Sequence, residues 1–213
     1  YHLRTISLSK DQEGYIHIPR GLLETVIEKC KFSNISFDIE DQRETGRPLR
    51  IKFSGELRMQ QDIAVQSLLQ YENGILDAAT AFGKTVVASY LIAARKVNTL
   101  ILVHSSALLQ QWQKSLSEFL AFEDELPKQP KKRGRQKKLS HIGQLGATKN
   151  TLNHIVDIAI MQSVVSGDEV REFVKDYGMV IVDECHHVSA FTFEKILREV
   201  NAKYVYGDRK SVV

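Results

Sequence analysis

A chain of 213 residues with 43% hydrophobic content and a net charge of +3 can bury one good core plus a small satellite, and it reads as a soluble globular protein. No apolar run approaches the roughly 20 residues that a membrane helix needs, and the opening Tyr1-His2-Leu3-Arg4 lacks an apolar signal segment, so nothing in the sequence points to a membrane span or to secretion. Cys30 and Cys185 have neither metal-ligand spacing nor a disulfide framework, so a reducing, intracellular setting is expected, in cytoplasm or nucleoid, with the nucleus left open.

In chain order, residues 3–8 and 15–18 alternate as strands do. Pro19 opens a helical stretch whose Leu22, Leu23, Val26, Ile27 and Cys30 share one face. Residues 35–39 and 49–53 alternate again. Residues 1–55 therefore read as a small accessory domain of mixed strands and one helix. Its linker is either the polar stretch 40–48 or the turn at Ser54-Gly55. From Leu57 the pattern changes to helices at 60–71, 84–94, 107–119, 170–177 and 191–200. Strands at 74–77, 99–104, 155–161, 179–182 and 204–206 alternate with them. Apolar, β-rich runs bounded by helices are what a parallel sheet covered on both faces requires, so the expected class is α/β. In such a sheet the ligand crevice lies at the carboxyl ends of the strands.

Two motifs fall at such ends. Ala79-Thr80-Ala81-Phe82-Gly83-Lys84-Thr85 follows the strand at 74–77, and Asp183-Glu184-Cys185-His186 follows the strand at 179–182. A Gly-Lys-Thr turn opening a helix offers backbone N–H groups and a helix dipole to phosphate oxygens. The Lys reaches terminal phosphates and the Thr hydroxyl reaches Mg²⁺. An Asp at a strand end can hold the metal through its waters, and the adjacent Glu can orient or deprotonate an attacking water. The strict pattern G-x-x-x-x-G-K-[ST] fails, because Ala78 occupies the first Gly position. Alone, the first motif is compatible with an ordinary helix N-terminus and the second with two solvated acids; their order, spacing and strand contexts together point to a nucleoside triphosphate with Mg²⁺.

The charge is uneven. Seven of the 29 basic residues lie between Lys128 and Lys138, and the other 22 face 26 acidic residues. A cationic run with Pro and Gly and no apolar side chain cannot pack, so residues 127–138 are expected to form a basic loop able to meet a polyanion. Its Lys131, Lys132, Arg133, Arg135, Lys137 and Lys138 surround an Arg-Gly-Arg core resembling an AT-hook, although Gln136 stands where Pro is usual. Nonspecific phosphate binding, minor-groove entry and a merely solvated or import-like string are the competing readings.

The ordered set Leu57-Arg58-Met59-Gln60-Gln61, the Lys84 loop, the segment from Leu102 through Trp112, Ile158-Ala159-Ile160-Met161-Gln162-Ser163 and Asp183-Glu184-Cys185-His186-His187 resembles superfamily 2 helicases and translocases. The nearest branch is the XPB-type, DEAH-like one, which is itself similar to the motors of some restriction systems. The resemblance spans residues from about 56 to 207. It implies that residues 56–213 form the first RecA-like lobe of an ATP-dependent DNA helicase or translocase, with RNA left open, preceded by the accessory domain at 1–55 as a DNA-contacting element. By position, Gln61 would read adenine, with Arg58 nearby. Thr80, Ala81, Phe82, Gly83, Lys84 and Thr85 would cradle phosphates, and Thr85 with Asp183 would hold Mg²⁺. Glu184 would position water, and His186 would couple the site to a second lobe. Ser105, Gln111, Gln162 and Ser163 would lie along a nucleic-acid backbone. Trp112 reads as a core anchor rather than a stacking platform, and His187 as structural.

Two departures qualify the resemblance. Ala81 stands where the family has Gly, so the backbone there is expected to avoid φ > 0. After Gly207 the family continues into Ser/Thr-Ala-Thr, whereas this chain reads Asp208-Arg209-Lys210. The second lobe with its arginines would be supplied elsewhere, and weak ATP binding with very slow hydrolysis is expected of these 213 residues alone. Two alternatives remain: the motor subunit of a restriction or defence system with a nuclease partner, and a nucleic-acid-binding scaffold whose ATP site is inert.

Overall fold

Burial on both faces decides the architecture. The structure, a computed structural model, describes residues 10–12, 15–18, 20–79, 81–123, 126, 140–146, 148–167, 169–183 and 190–210. The expected strand at 3–8 and the basic loop at 127–138 lie outside them. The chain divides into two compact units, Tyr1–Asp41 and Gln42–Val213.

In the first unit β1 (Lys10–Gln12) pairs antiparallel with β2 (Tyr15–His17). A short 3-10 turn then leads into α1 (Leu23–Phe32). Leu23, Val26, Ile27 and Cys30 are the half-buried positions of α1, the i, i+3, i+4, i+7 stripe of an amphipathic helix. Leu22 is exposed and falls outside that stripe. Residues 35–39, read as a strand, form no strand ladder among the described residues; the Ile35 N–H instead donates to the Cys30 carbonyl at the end of α1. An alternating pattern without a partner edge gives no ladder.

The second unit runs β3 (Ile51–Phe53), α2 (Met59–Leu69), β4 (Asn73–Ala78), α3 (Lys84–Arg95), β5 (Thr99–Val103), α4 (Ser106–Phe119), β6 (Leu120–Phe122) and β7 (Ile142–Gly146). It continues with β8 (Lys149–Asn150), β9 (Val156–Ile160), the single turn α5 (Met161–Val164), a two-residue hairpin pair β10 (Val165–Ser166) and β11 (Glu169–Val170), β12 (Met179–Val182), α6 (Ala190–Glu199) and β13 (Tyr204–Lys210). Seven strands form one sheet in the order β4-β13-β12-β5-β9-β7-β8, parallel throughout except for the terminal β7–β8 pair. The RecA-like, doubly covered α/β sheet expected from the sequence is the one observed.

Side chains alternate between two cores. Ile101 and Val103 of β5 with Met179 and Ile181 of β12 meet Val65 of α2, Val87, Leu91 and Ile92 of α3, and Leu109, Trp112 and Leu116 of α4. Leu100, Leu102, Val180 and Val182 point the other way, onto Met161, Val164, Val174, Ile196 and Val200. This is why β12, and β5 from Leu100 on, are apolar without interruption: both faces of a central strand are buried.

Several expectations are corrected here. The strand at 49–53 is β3, but it pairs with β6, a strand the sequence did not reveal, so residues 42–55 pack with the second unit rather than the first. The helix expected at 170–177 is only a 3-10 segment, Glu172–Asp176. Strand β7 was missed, its two glycines diluting the apolar signal; at Gly143 a Cβ would lie 1.8 Å from the Asp157 carboxylate, so the missing side chain is required by close approach. Strand β13 extends to Lys210, in register with β4.

Two polar clusters, the first half-buried and the second buried, hold the unit together away from the strand ends that carry the motifs. Arg95 at the end of α3 donates to the Tyr206 hydroxyl at 2.6 Å and to the carbonyls of Leu69 and Tyr71 at 3.0 and 2.7 Å, tying α2, α3 and β13. At the start of β9, Asp157 accepts from the Tyr177 hydroxyl at 2.6 Å and from the N–H groups of Asn153 at 3.1 Å and His154 at 2.7 Å. Burial pushes the Asp157 carboxyl up against those hydrogen bonds, and the same burial, with the adjacent carboxylate, pushes the Tyr177 hydroxyl up.

Candidate functional site

Because β4, β12, β5 and β9 run parallel, the segments that follow them all emerge at one edge of the sheet. The loop after β4 opens α3 with Gly83 as its N-cap at φ 85, a left-handed conformation that glycine takes cheaply. Lys84 and Thr85 are the first two residues of α3, in the turn whose N–H groups have no partners four residues back.

Arg58 and Gln61, at the start of α2, staple this loop. The Gln61 oxygen accepts the Arg58 N–H at 2.9 Å, and its amide donates to the Phe82 carbonyl at 2.7 Å. The Arg58 guanidinium donates to the same carbonyl at 2.6 Å and to that of Ala81 at 3.3 Å. Gln61 is 3% exposed, so its side chain is part of the loop's foundation. Each end of an amide keeps one further hydrogen-bonding valence. A Cβ on Gly83 would lie 2.4 Å from the Gln61 amide nitrogen and 3.1 Å from the Arg58 guanidinium. The glycine is thus required twice, by φ and by contact. Ala81 overturns its expectation: it sits at φ 69, in the left-handed region, where its Cβ is disfavoured. The loop thus holds a residue with a Cβ in a conformation that glycine takes more cheaply, at the cost of local strain.

Asp183 follows β12 directly, its N–H donating to the Leu102 carbonyl at 2.9 Å, and it is only 7% exposed. Its carboxylate accepts a hydrogen bond from the Trp112 indole at 2.5 Å. Trp112 is 3% exposed, in keeping with a core anchor. Lys84 extends to Asp208 on β13, 3.2 Å away, and both side chains are largely shielded from water. A cavity beneath α3 has Lys84 and Asp208 as its charged lining and Leu76, Val87, Leu91, Trp112 and Ile181 among its apolar lining. An ammonium, a hydroxyl at a helix N-terminus and a shielded carboxylate, gathered at one strand edge beside a loop that needs glycine, form a donor set that fits a Mg²⁺-triphosphate.

Among the remaining expected residues, Ser105 caps α4, its hydroxyl accepting from the Leu108 N–H at 3.3 Å. Gln111 is exposed in the second turn of α4. Gln162 is exposed and Ser163 half-buried in α5, immediately after β9. Ser105, Gln162 and Ser163 thus share the sheet edge with the phosphate loop but belong to its β5–β9 stretch. Thr80, Glu184, Cys185, His186, His187 and Lys131, Lys132, Arg133, Arg135, Lys137 and Lys138 lie outside the described residues.

Sequence reasoning missed two participants. Asp208 had no motif to mark it; its place after Gly207, at the carboxyl end of a parallel strand, was the available signal. Trp112 was read only for its bulk, although a buried indole needs an acceptor for its N–H.

A RecA-like sheet carrying a Gln61-stapled Gly-Lys-Thr loop and a strand-end Asp-Glu-Cys-His motif defines the nucleotide-motor class of superfamily 2 helicases. Within that class the chain belongs to the family "Type III restriction enzyme, res subunit", whose model matches residues 54–207. It is 26% identical over 204 residues to a protein of Acanthamoeba polyphaga mimivirus provisionally named an ATP-dependent RNA helicase, covering 91% of this chain and 34% of that protein. It is 28% identical over 138 residues to the DNA 3'-5' translocase XPB2 of Sulfurisphaera tokodaii, covering 65% of this chain and 27% of that one. The chain therefore spans about a third or less of the length of these two relatives. Its fold is similar to that of the UvsW helicase from Bacteriophage T4, with a TM-score of 0.62 at 19% identity over 91% of this chain and 72% of that structure.

Proposed function

We propose that this chain is the first motor lobe of an ATP-dependent DNA helicase or translocase of the XPB-type branch. The observation that carries the reading is the convergence of the Gln61-stapled phosphate loop, Lys84 and Asp183 at one strand edge. Lys84 draws the terminal phosphates, for which Asp208 is its present counter-ion. The amides from Thr80 to Thr85 cradle phosphate oxygens, and the remaining valences of Gln61 suit the adenine edge. Thr85 and Asp183 are the residues that would hold Mg²⁺, whose chemistry there is neutralising charge on the phosphates. Glu184 orients the attacking water, and His186 links the site to a second lobe. That lobe, with its transition-state arginines, belongs to a longer protein, and these 213 residues alone turn over very slowly.

Ser105, Gln111, Gln162 and Ser163 fix a nucleic-acid strand through its backbone, and the basic loop at 127–138 adds nonspecific attraction. The N-terminal unit serves as an accessory DNA-contacting domain. The family match gives the restriction-type motor standing as a second reading, in which a nuclease partner cuts what this lobe's protein translocates on. ATPase assays on a longer chain with a second lobe test the proposal: duplex DNA should stimulate turnover more than RNA does. Stimulation by RNA alone overturns the DNA assignment. Absence of turnover and of Mg²⁺-ATP binding favours an inert scaffold.

A further inference from the structure

Trp112 is the single tryptophan of the chain, and it lies between two parts of the site. Its ring packs in the core that α3, α4 and β12 share, and it lines the same cavity as Lys84 and Asp208. Bulk alone would explain its burial but not its acceptor, which is the carboxylate of Asp183 and not a backbone carbonyl. A carboxylate 7% exposed has little water to orient it, so the donors around it set its rotation. We propose, resting on the Mg²⁺-nucleotide reading above, that Trp112 is a positioning residue for the metal site: its indole N–H presets the Asp183 carboxylate for Mg²⁺. Helix α4, which carries Trp112, is capped by Ser105, so the hydrogen bond also joins the metal site to the helix that borders the candidate nucleic-acid edge.

Trp112→Phe keeps the aromatic packing and removes the donor. The assay is binding of a fluorescent ADP analogue to the 213-residue chain, titrated with Mg²⁺ and repeated in EDTA. The Mg²⁺ concentration that gives half of the metal-dependent gain should rise about tenfold, the low end for losing a hydrogen-bonded partner of a metal ligand. Affinity in EDTA should stay within about twofold, and the same substitution should add nothing in an Asp183→Asn background. Equal losses with and without Mg²⁺ assign Trp112 to packing alone and overturn the proposal, as does an unchanged Mg²⁺ requirement. No nucleotide binding by the parent chain overturns the underlying reading as well. A second readout holds even where Trp112→Phe fails to fold. Tryptophan emission arises from Trp112 alone, so Mg²⁺ with ADP should shift it in the parent chain and leave it unmoved in Asp183→Asn. The same response in both, or in neither, refutes the assignment.

Discussion

Replacing Gly83 by Ala tests the loop geometry most sharply. The new Cβ at φ 85 meets the Gln61 amide nitrogen 2.4 Å away. Gln61 can swing clear only by giving up its bonds to the Arg58 N–H and the Phe82 carbonyl. The left-handed backbone costs an alanine about 1–2 kcal/mol whatever the side chain does. The two hydrogen bonds are worth about 0.5–1.5 kcal/mol each. Gly83→Ala should therefore destabilise by about 2–5 kcal/mol in urea unfolding, with a matching loss of nucleotide affinity. Gln61→Ala removes the side-chain share alone, so adding Gly83→Ala to it should cost only the backbone share, about 1–2 kcal/mol. A loss for Gly83→Ala below about 0.5 kcal/mol, or one equally large in both backgrounds, would refute the staple.

Other expectations are as direct. Ala81→Gly relieves the strain at φ 69 and should leave stability equal or up to about 1 kcal/mol higher, the gain trimmed by the freer unfolded chain. Asp208→Asn removes the negative charge 3.2 Å from the Lys84 ammonium, a charge that also repels phosphates. Calorimetry should find ADP bound about three- to tenfold more tightly, with a lower unfolding midpoint. Tyr177→Phe deletes a hydrogen bond to a buried carboxylate and should cost about 1.5–3 kcal/mol in urea titrations at pH 8. Burial raises the Asp157 carboxyl, so its contribution is full below its ordinary value and is lost as pH rises through the raised one. Losing the Tyr177 donor raises it further, so the cost of Tyr177→Phe should grow from pH 4 to pH 8.

The sheet was legible because its central strands are apolar on both faces, a signal that alternation with helices reinforces at residues 99–104 and 179–182. Strands β6 and β7 were not, since three residues at a helix end and a Gly-rich run carry too little pattern. The boundary between the units depended on β3 finding β6, about 70 residues later, a pairing no local pattern announces. At the site, the two strand-end motifs named Lys84 and Asp183 and the family resemblance named Gln61, but their partners were not written in any motif. Trp112 reaches Asp183 across 71 residues and Lys84 reaches Asp208 across most of the unit. Ala81 shows the opposite case: propensity argued against φ > 0, and hydrogen bonds from Arg58 to the Ala81 and Phe82 carbonyls hold it there.

Calorimetric titration of Mg²⁺-ATP into this chain and into Lys84→Ala tests most directly whether Lys84 and Asp183 stand at a nucleotide site. The parent chain should bind measurably, and the variant should lose at least about tenfold, roughly 1.4 kcal/mol. Equal, negligible binding by both would contradict that placement.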